Sequence, residues 1–394
     1  MKSALQNTYN LLKYENRLTI GYFGGSITSG NSAKHIIENG KITPEKQGSI
    51  TNSYVNRTSA SIKELFPNAV IETVNAGVSD THTQFGLYRL ESTLMNTIGH
   101  NMPDLVFIEF TSNDWVYGEH TVEIIKAELE SLIINTRKLN PFADIVIIAT
   151  NTLEMQNCPK KLAHKEIADY YGLPFIDVGI ALQSKKNTDP QSGHAEPGEK
   201  GTLKYTADDL HPSALGFAVY LEEIKKVLTY YLDGKNCEQG IIDHTKMAPT
   251  PLSKELYTPR IIDADNITAP TEIEIADKPL CLQLHGTLLD EFNHYNIVKN
   301  CIVLRQNESI TAKFKGEILG MLVAMQSKTD VNILYSIDGG EWQEFGINDS
   351  RLGFQRYPHT QAFFLKAGLT DGNHTVTLKT VAEKPLVFGA FLAQ

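Results

Sequence analysis

Short apolar runs alternate with segments of helical length through the first part of the chain. Four such runs occupy residues 18–23, 69–74, 105–110 and 145–149. Each run is nearly continuous, which is typical of a strand that is buried on both faces of a parallel sheet. Consecutive parallel strands need a long crossover, and each intervening segment is long enough to contain a helix. The pattern therefore predicts an α/β protein with a doubly wound sheet.

Two amphipathic segments in this region carry recognisable helix boundaries. Residues 122–139 repeat apolar side chains at helical spacing, and Asn140-Pro141 follows them as a stop signal. Residues 215–232 show the same period, with Gly234 placed as a C-terminal cap. We predict two helices, and we expect Pro212 at the first position of the second helix.

The sequence changes character after residue 232. The next residues contain prolines that are too closely spaced for a long helix or a central strand. We interpret residues 233–269 as a linker or a wrapping segment, which leaves an α/β domain over residues 1–232. The prolines are Pro249, Pro251, Pro259 and Pro270.

Residues 270–394 lose the helical period and carry β-rich runs at 301–304, 318–325 and 374–380. Turn signals separate these runs. Asp338-Gly339-Gly340 and Asp371-Gly372-Asn373 are both interpreted as hairpin connectors. The pattern predicts an all-β sandwich domain over residues 270–394.

Composition excludes several classes of function. The chain has 46 acidic and 36 basic side chains and a formal net charge of −10, so nucleic acid is not an expected ligand. No window approaches the roughly 18 apolar residues of a membrane helix, and the first residues lack the apolar core of a signal peptide. We therefore expect a cytoplasmic protein with no membrane partner. Because the 4 cysteines form no CxxC pair, neither a disulfide framework nor a zinc site is expected.

The residues that follow the strands are the first candidates for chemistry, because ligands bind beyond the carboxyl ends of an open parallel sheet. Ser26 follows the first run in a Gly-flanked turn, a position that suits a nucleophile but also a helix cap. Residues 25–32 are one residue from a phosphate-binding loop, but Asn31 replaces its lysine, which disfavours a nucleotide site. Gly77 and Asn113 follow the next two runs. With the Ser26 amide they offer three donors to an oxyanion, although each alone is more often a turn residue.

A general base should be a histidine that is held by a carboxylate, and 12 histidines compete for this role. His211 has the best context, because Asp208 lies three residues before it and can reach its Nδ1. The neighbouring Asp209 would point elsewhere or to solvent. Glu109 lies inside an apolar strand, where it is either a buried carboxyl with a raised pKa or, as we expect, the partner of a cation such as Arg89.

Taken together, these residues resemble the four sequence blocks of the SGNH, or GDSL-type, hydrolases. The resemblance covers about residues 15 to 232 and rests on Gly24-Gly25-Ser26-Ile27-Thr28, Asn75-Ala76-Gly77, Ser112-Asn113-Asp114, and Asp208 with His211. It implies a flavodoxin-like three-layer α/β/α fold. It also implies that Ser26 is the nucleophile and that Asp208 and His211 complete the triad. The oxyanion hole would be formed by Ser26, Gly77 and Asn113.

Two positions depart from the family pattern. Gly25 stands where the acidic residue usually precedes the nucleophile, and this GGS variant resembles the branch that contains many carbohydrate deacetylases. Thr111 stands where a glycine is usual, two residues before Asn113, and could crowd the oxyanion region. Neither departure removes a catalytic group.

The C-terminal β region is similar in outline to the jelly-roll or carbohydrate-binding-module domains that follow such esterases. If it contacts substrate, Trp342, Phe354 or Tyr357 would stack on a sugar face. The alternative is a domain that only packs against the catalytic sheet or builds a homo-oligomer. No heptad or long apolar edge in the sequence indicates a symmetry.

These observations lead us to expect a serine esterase that removes acetyl groups from oligosaccharides, such as mannan or xylan fragments, without a metal or organic cofactor. Trp115 and Tyr205 would face the sugar, and residues 183–201 would form a lid or a subunit contact. A lipid or thioester hydrolase, or an acyltransferase, would use the same triad. From another class, a non-catalytic carbohydrate-binding protein remains an alternative, although it would have no need for an activated serine.

Overall fold

A computed structural model describes most of the chain, in two compact units that meet in sequence between Leu256 and Tyr257. The described residues are 3–30, 35–38, 41–44, 49–79, 81–96, 99–116, 120–150, 158–189, 205–206, 210–235, 237–246, 248–253, 256–276, 280–281, 296–298, 300–325, 331–347 and 359–394.

The first unit alternates strands and helices. Its strands are β1 (Arg17–Gly24), β2 (His35–Glu38), β3 (Lys41–Pro44), β4 (Val70–Gly77), β5 (Leu105–Glu109), β6 (Asp144–Ala149) and β7 (Phe175–Asp177). Its α-helices are α1 (Gln6–Asn10), α2 (Ser26–Ser29), α3 (Tyr54–Leu65), α4 (Thr83–Leu90), α5 (Thr111–Val116), α6 (Val122–Leu139), α7 (Pro159–Tyr170), α8 (Val178–Thr188) and α9 (Ala214–Leu232). Two π-helical turns, Leu11–Glu15 and Glu91–Met95, extend α1 and α4, and a 3-10 turn spans Ser49–Asn52.

A parallel five-stranded sheet is the framework of this unit. Its order is β4-β1-β5-β6-β7, so the chain leaves β1 toward one edge and returns to build the other. This is the flavodoxin-like order, with a topological switch point between β1 and β5. A separate antiparallel hairpin is formed by β2 and β3.

Helices cover both faces of the sheet. On one face, α9 contacts α1, α3 and α8, and on the other α6 contacts α4 and α7. The helix layer that contains α9 packs on the sheet in a continuous core. In this core Ile62 and Phe217 from the helices contact Tyr22, Phe107 and Ile148 from the sheet. This burial gives the three-layer architecture its main stabilisation.

The predicted strands and helices of this unit are largely confirmed. The four apolar runs form β1, β4, β5 and β6, while β7 has only 3 residues and gave no apolar run to detect. The helix predicted at residues 122–139 is α6, and the one at 215–232 is α9. The position of Pro212 was wrong, because Ser213 is the N-cap of α9 and accepts a hydrogen bond from the Gly216 amide. Gly234 follows α9 with a φ of 82°, as a C-terminal cap requires.

The chain that follows α9 stays in the first unit and packs along its surface. The side chains of Asn7 and Asn10 donate to main-chain carbonyls of Ile242 and Glu238. Further on, Glu130 of α6 accepts hydrogen bonds from the amides of residues 252 and 253. The described residues 237–246 and 248–253 are therefore held to the α/β unit at Glu238, Ile242 and residues 252 and 253.

The second unit is an antiparallel β-sandwich. One sheet has the order β10-β13-β20-β15-β18 with β8 beside β20, the other has the order β17-β16-β19-β14-β9, and β11 pairs with β12. Side chains from both large sheets share one core, which includes Met321 and Phe388 from the first and Ile333 and Val376 from the second. The strands are β8 (Arg260–Ile262), β9 (Ile267–Thr268), β10 (Glu274–Ala276), β11 (Leu280–Cys281), β12 (Asn296–Val298), β13 (Cys301–Leu304), β14 (Ser309–Lys315), β15 (Leu319–Met325), β16 (Val331–Ile337), β17 (Gln343–Ile347), β18 (His359–Lys366), β19 (Asn373–Thr380) and β20 (Leu386–Ala393).

Three details differ from or refine the sequence prediction. The sandwich takes its first strand at Arg260, before the boundary expected at residue 270. The segment 338–340 connects β16 to β17 as a hairpin, with Asp338 and Gly339 both at positive φ. The segment 371–373 is not a hairpin, because β18 and β19 belong to different sheets. Among the described residues, no helix is long and apolar enough to cross a membrane.

Candidate active site

Ser26 lies at the switch point of the sheet, as the first residue of α2 after the sharp turn from β1 at Gly25. Its Oγ is 2.6 Å from Nε2 of His211, and the side chain is partly exposed. The Ser26 amide begins the short helix α2, so it has no intrahelical acceptor, and no described residue accepts its hydrogen bond. A hydroxyl in contact with a ring nitrogen, beside an uncommitted N–H, is the arrangement that acyl transfer requires.

His211 is placed by the start of α9. The neighbouring Pro212 pairs with Thr206 in an isolated bridge, and the Ser213 amide donates to the carbonyl of Tyr205. These contacts fix the chain on either side of the histidine. Asp208 and Asp209 lie outside the described residues, so the contact expected between Asp208 and Nδ1 of His211 stays a prediction.

Asn113 reaches the same turn from α5. A Cβ added to Gly25 would lie 2.3 Å from Oδ1 of Asn113, so the amide side chain fills the space that the glycine leaves. No described residue forms a hydrogen bond with this half-buried amide. Thr111 does not crowd it, because the Thr111 hydroxyl turns to β6 and accepts from the Thr150 amide at 3.0 Å.

Gly77 ends β4 directly against the turn that carries Ser26. A Cβ at this position would lie 2.3 Å from the Ser29 nitrogen, so only glycine allows this approach. Its N–H already donates to Oδ1 of Asn75 at 2.9 Å, and Asn75 also donates to the carbonyl of Thr28. An oxyanion would therefore compete with Asn75 for the Gly77 amide, which the sequence did not reveal.

Asp114 anchors the turn that carries Asn113. Its carboxylate accepts from the amide and hydroxyl of Thr83 and lies 2.7 Å from Nε2 of His164. Its carbonyl accepts from Lys160. Burial by itself raises the pKa of Asp114, but the hydrogen bonds from His164 and Thr83 outweigh this effect and hold the pKa below its usual value. The ionised Asp114 therefore links α5 to α4 and α7 through charge-assisted hydrogen bonds.

Glu109 is not paired with Arg89, contrary to the expectation from sequence. A Cβ on Gly24 would point at Oε2 of Glu109, whereas Arg89 lies over the ring of the preceding Phe23, 4.2 Å from its centroid. Successive strand residues face opposite sides, so Glu109 and Arg89 lie on opposite faces of the sheet. Burial raises the pKa of Glu109 to about 7, although hydrogen bonds from Thr150, Thr28 and the Gly25 amide oppose the shift.

The aromatic residues expected to face the sugar are placed differently from one another. Trp115 is 42% exposed on α5, two residues after Asn113. Tyr205 is buried, and its hydroxyl donates to Asp189, so it does not offer a ring face to a substrate and the prediction for it was wrong. Trp342 is 52% exposed in the sandwich unit. Phe354 and Tyr357 lie outside the described residues, as does the part of the expected lid from residue 190 to 201.

Comparison with known proteins identifies what this architecture resembles. The profile of a family described as GDSL-like lipase/acylhydrolase matches residues 22–219, half of the chain. Comparison with curated proteins gives no significant match.

Two solved structures are similar over the whole chain. A two-domain esterase (CEX) active on acetylated mannans is similar over 100% of this chain and 97% of its own, with 20% identity and a TM-score of 0.71. The same esterase co-crystallised with mannopentaose covers 100% and 95%, with the same identity and TM-score. A variant of an acetyl xylan esterase from Geobacillus stearothermophilus aligns over 54% of this chain and 94% of its own, with 20% identity and a TM-score of 0.40. The full-length similarity confirms the fold predicted from sequence, an α/β unit followed by a β-rich unit.

Proposed function

The chain belongs to the GDSL-like lipase/acylhydrolase family and is a carboxylic ester hydrolase, and we propose that it removes O-acetyl groups from oligosaccharides of the mannan or xylan type. The contact that carries the catalytic part of this proposal is the 2.6 Å approach of Ser26 Oγ to His211 Nε2 at the switch point. It pairs a nucleophile with a base where ligands bind in folds of this kind.

The proposed reaction is a two-step acyl transfer. Ser26 Oγ attacks the acetyl carbonyl while His211 Nε2 takes the hydroxyl proton, and the negative oxygen receives hydrogen bonds from the Ser26 amide and the Asn113 side chain. His211 then gives its proton to the sugar oxygen as the C–O bond breaks. Water, deprotonated by His211, then attacks the acyl carbon, and His211 gives this proton to Ser26 Oγ as the bond between Oγ and the acyl carbon breaks and acetate leaves. In this proposal Asp208 stabilises the imidazolium and Gly77 shares its N–H with the oxyanion.

Two kinds of observation support the proposed substrate class: the similarity to solved carbohydrate esterases, and the polar residues around Ser26. The two-domain esterase that shares this fold over its whole length acts on acetylated mannans and was crystallised with mannopentaose. The GGS turn at Gly25 resembles the branch that contains many carbohydrate deacetylases. A long-chain lipid would call for an extended apolar trough, but polar residues follow the central strands, including Ser26 after β1 and Asn113 after β5.

Acetate release from acetylated manno-, xylo- and chito-oligosaccharides, measured beside p-nitrophenyl acetate and butyrate, tests the substrate class. Ser26→Ala protein serves as the blank. We expect Ser26-dependent release from manno- or xylo-oligosaccharides that exceeds turnover of the butyrate ester. Turnover confined to the longer acyl ester would favour a lipid or thioester hydrolase. Binding of oligosaccharide without any release would favour a carbohydrate-binding protein.

The role of Asp208 is testable against its neighbour. Asp208→Asn should lower kcat by roughly 10²–10⁴ fold, because the amide no longer stabilises the imidazolium or selects its tautomer. Asp209→Asn makes the same chemical change at the adjacent aspartate and should leave kcat within about twofold of the wild-type value. Steady-state hydrolysis of p-nitrophenyl acetate gives both values. Equal losses in the two variants would remove Asp208 from the triad.

Trp115 and Trp342 form a second matched pair, because they are the only tryptophans of the chain and both are exposed. If Trp115 stacks on the sugar, Trp115→Ala should raise KM for an acetylated oligosaccharide by roughly tenfold and leave KM for p-nitrophenyl acetate nearly unchanged. Trp342→Ala should leave both KM values unchanged if the sandwich unit does not bind the substrate. The reverse pattern would assign the sugar contact to the sandwich unit.

A further inference from the structure

We propose that Glu109 is a positioning residue that holds the nucleophile turn (residues 25–28) and Asn113 at the spacing the oxyanion hole requires. The proposal rests on the proposed function, because it assigns Glu109 a part in the same acyl transfer. Glu109 itself touches no reacting atom. It acts through the two segments that supply the donors.

One carboxylate oxygen holds the nucleophile turn. Oε2 of Glu109 accepts the Thr28 hydroxyl at 2.9 Å, and the Gly25 N–H is shared between Oε2 at 3.4 Å and the Glu109 carbonyl at 3.3 Å. The Thr28 hydroxyl is also 2.8 Å from the hydroxyl of Tyr54. Both ends of the turn, on either side of Ser26, are therefore tied to this one side chain.

The other oxygen holds the segment that carries Asn113. Oε1 of Glu109 accepts the Thr150 hydroxyl at 2.6 Å. Ser112 donates its hydroxyl to the Thr150 carbonyl at 2.9 Å, and the two hydroxyl oxygens are 3.1 Å apart. The Thr150 amide is bound by Thr111. Glu109 thus reaches Asn113 through Thr150 and the two residues that precede Asn113 in α5.

The ionised form of Glu109 suits this bridge. Its three donors are neutral, and the carboxylate makes no ion pair with any residue that the structure describes. The titratable groups that face it are Tyr54 on α3 and Tyr220 on α9, whose pKa values are raised first by burial and then by the charge of Glu109. A carboxylate accepts all three hydrogen bonds at once. A protonated Glu109 carries an O–H that must itself donate a hydrogen bond. One of the three hydrogen bonds then has to reverse its direction or break.

The consequence for catalysis is geometric. Oxyanion donors act at about 2.7–3.1 Å from the charged oxygen, and a displacement of about 1 Å in such a site costs on the order of a hundredfold in rate. The Ser26 amide and the Asn113 side chain come from different crossovers of the sheet, after β1 and after β5. Glu109 connects these two crossovers through its side chain, and burial keeps water from replacing its bonds.

Glu109→Gln tests the proposal, because it keeps the shape and removes one acceptor. We expect kcat for p-nitrophenyl acetate to fall roughly 10- to 100-fold while KM changes less than about twofold. Glu130→Gln is the matched control, since Glu130 is an equally buried glutamate in the middle of α6 that accepts hydrogen bonds from the amides of residues 252 and 253. It should lower the melting temperature and leave kcat unchanged. Equal kcat values for Glu109→Gln and wild type would overturn the proposal.

The pH profile gives a readout that a purely structural role would not change. In the wild type both Glu109 and His211 must lose a proton, so log(kcat/KM) should fall below neutral pH with a slope greater than one. In Glu109→Gln only His211 titrates, and the slope should become one. An equal slope of log(kcat/KM) against pH in wild type and Glu109→Gln would contradict the positioning role of Glu109. If Glu109→Gln fails to fold, Thr150→Val, which removes only the Asn113 side of the bridge, should still lower kcat, and an unchanged kcat would overturn the proposal.

Failure of the proposal and failure of the proposed function are distinguishable. The rate at which a fluorophosphonate labels Ser26 reports the nucleophile and the oxyanion hole without any turnover. A wild type that is labelled quickly but releases no acetate would contradict the proposed substrate class alone. Equal labelling rates in wild type and Glu109→Gln would contradict the positioning role alone.

Discussion

Replacement of Ser26 by alanine is expected to reduce ester turnover by roughly 10³–10⁶ fold, as loss of a triad nucleophile does elsewhere. The substitution removes the hydroxyl that lies 2.6 Å from Nε2 of His211 and leaves the amide that would stabilise the oxyanion. Because Ser26 is partly exposed and its side chain caps no helix, the free energy of unfolding should change by less than about 1 kcal/mol.

Ser29→Ala is the matched control for this experiment. Ser29 lies on the same short helix, and its hydroxyl donates to the Ser26 carbonyl at 2.7 Å. Losing that hydrogen bond should cost about 1 kcal/mol of stability and change kcat by no more than about tenfold. The measurements are initial rates with p-nitrophenyl acetate and thermal unfolding of each variant. Turnover by Ser26→Ala within tenfold of wild type would rule out Ser26 as the nucleophile.

The buried strands and the residues after them were predictable because their signals are local. Residues 105–108 of β5 are apolar in an unbroken run, as expected of a strand that is buried on both faces, so the run itself indicates a central strand. Once the strands are known, the sheet rule places Ser26, Gly77 and Asn113 at one edge without any further information. Helix α6 was predictable for the same reason, since its apolar period and its Asn140 stop lie within one segment.

The contacts of Glu109 were not predictable, because they join residues far apart in sequence. Thr28 and Thr150 flank Glu109 only after β1, β5 and β6 have paired, and no local period encodes which hydroxyl meets which oxygen. The same limit applies to Tyr205, which is exposed or buried according to the tertiary packing around α9. Arg89 was assigned to the wrong partner because the sequence shows a nearby cation but not the face of the sheet on which it lies.

Strand β7 and the segment 371–373 show a second limit. A strand of 3 residues with Asp177 at its end is too short to display a pattern, and only its pairing with β6 defines it. A turn sequence such as Asp371-Gly372-Asn373 specifies a reversal of the chain, but not whether the next strand joins the same sheet or the opposite one. Partner choice is decided by packing.

A side chain at position 25 should disable the oxyanion hole, and Gly25→Ala is expected to lower kcat by roughly 10²–10³ fold. The backbone of Gly25 has a φ of −87°, which alanine tolerates, so the effect comes from the 2.3 Å approach of the new Cβ to Asn113 Oδ1. Gly25→Asp, which restores the residue usual in the family, should act in the same direction.

The double-mutant cycle with Asn113→Ala separates this explanation from a general distortion of the nucleophile turn. If the Cβ acts by displacing Asn113, the loss from Gly25→Ala should nearly vanish once Asn113 has been truncated, and the double variant should be about as active as Asn113→Ala alone. Initial rates with p-nitrophenyl acetate for the four proteins give the coupling. If instead the free-energy losses of the two single variants add in the double variant, Gly25 is required by the backbone of the turn. The Asn113 side chain would then contribute to kcat independently of Gly25.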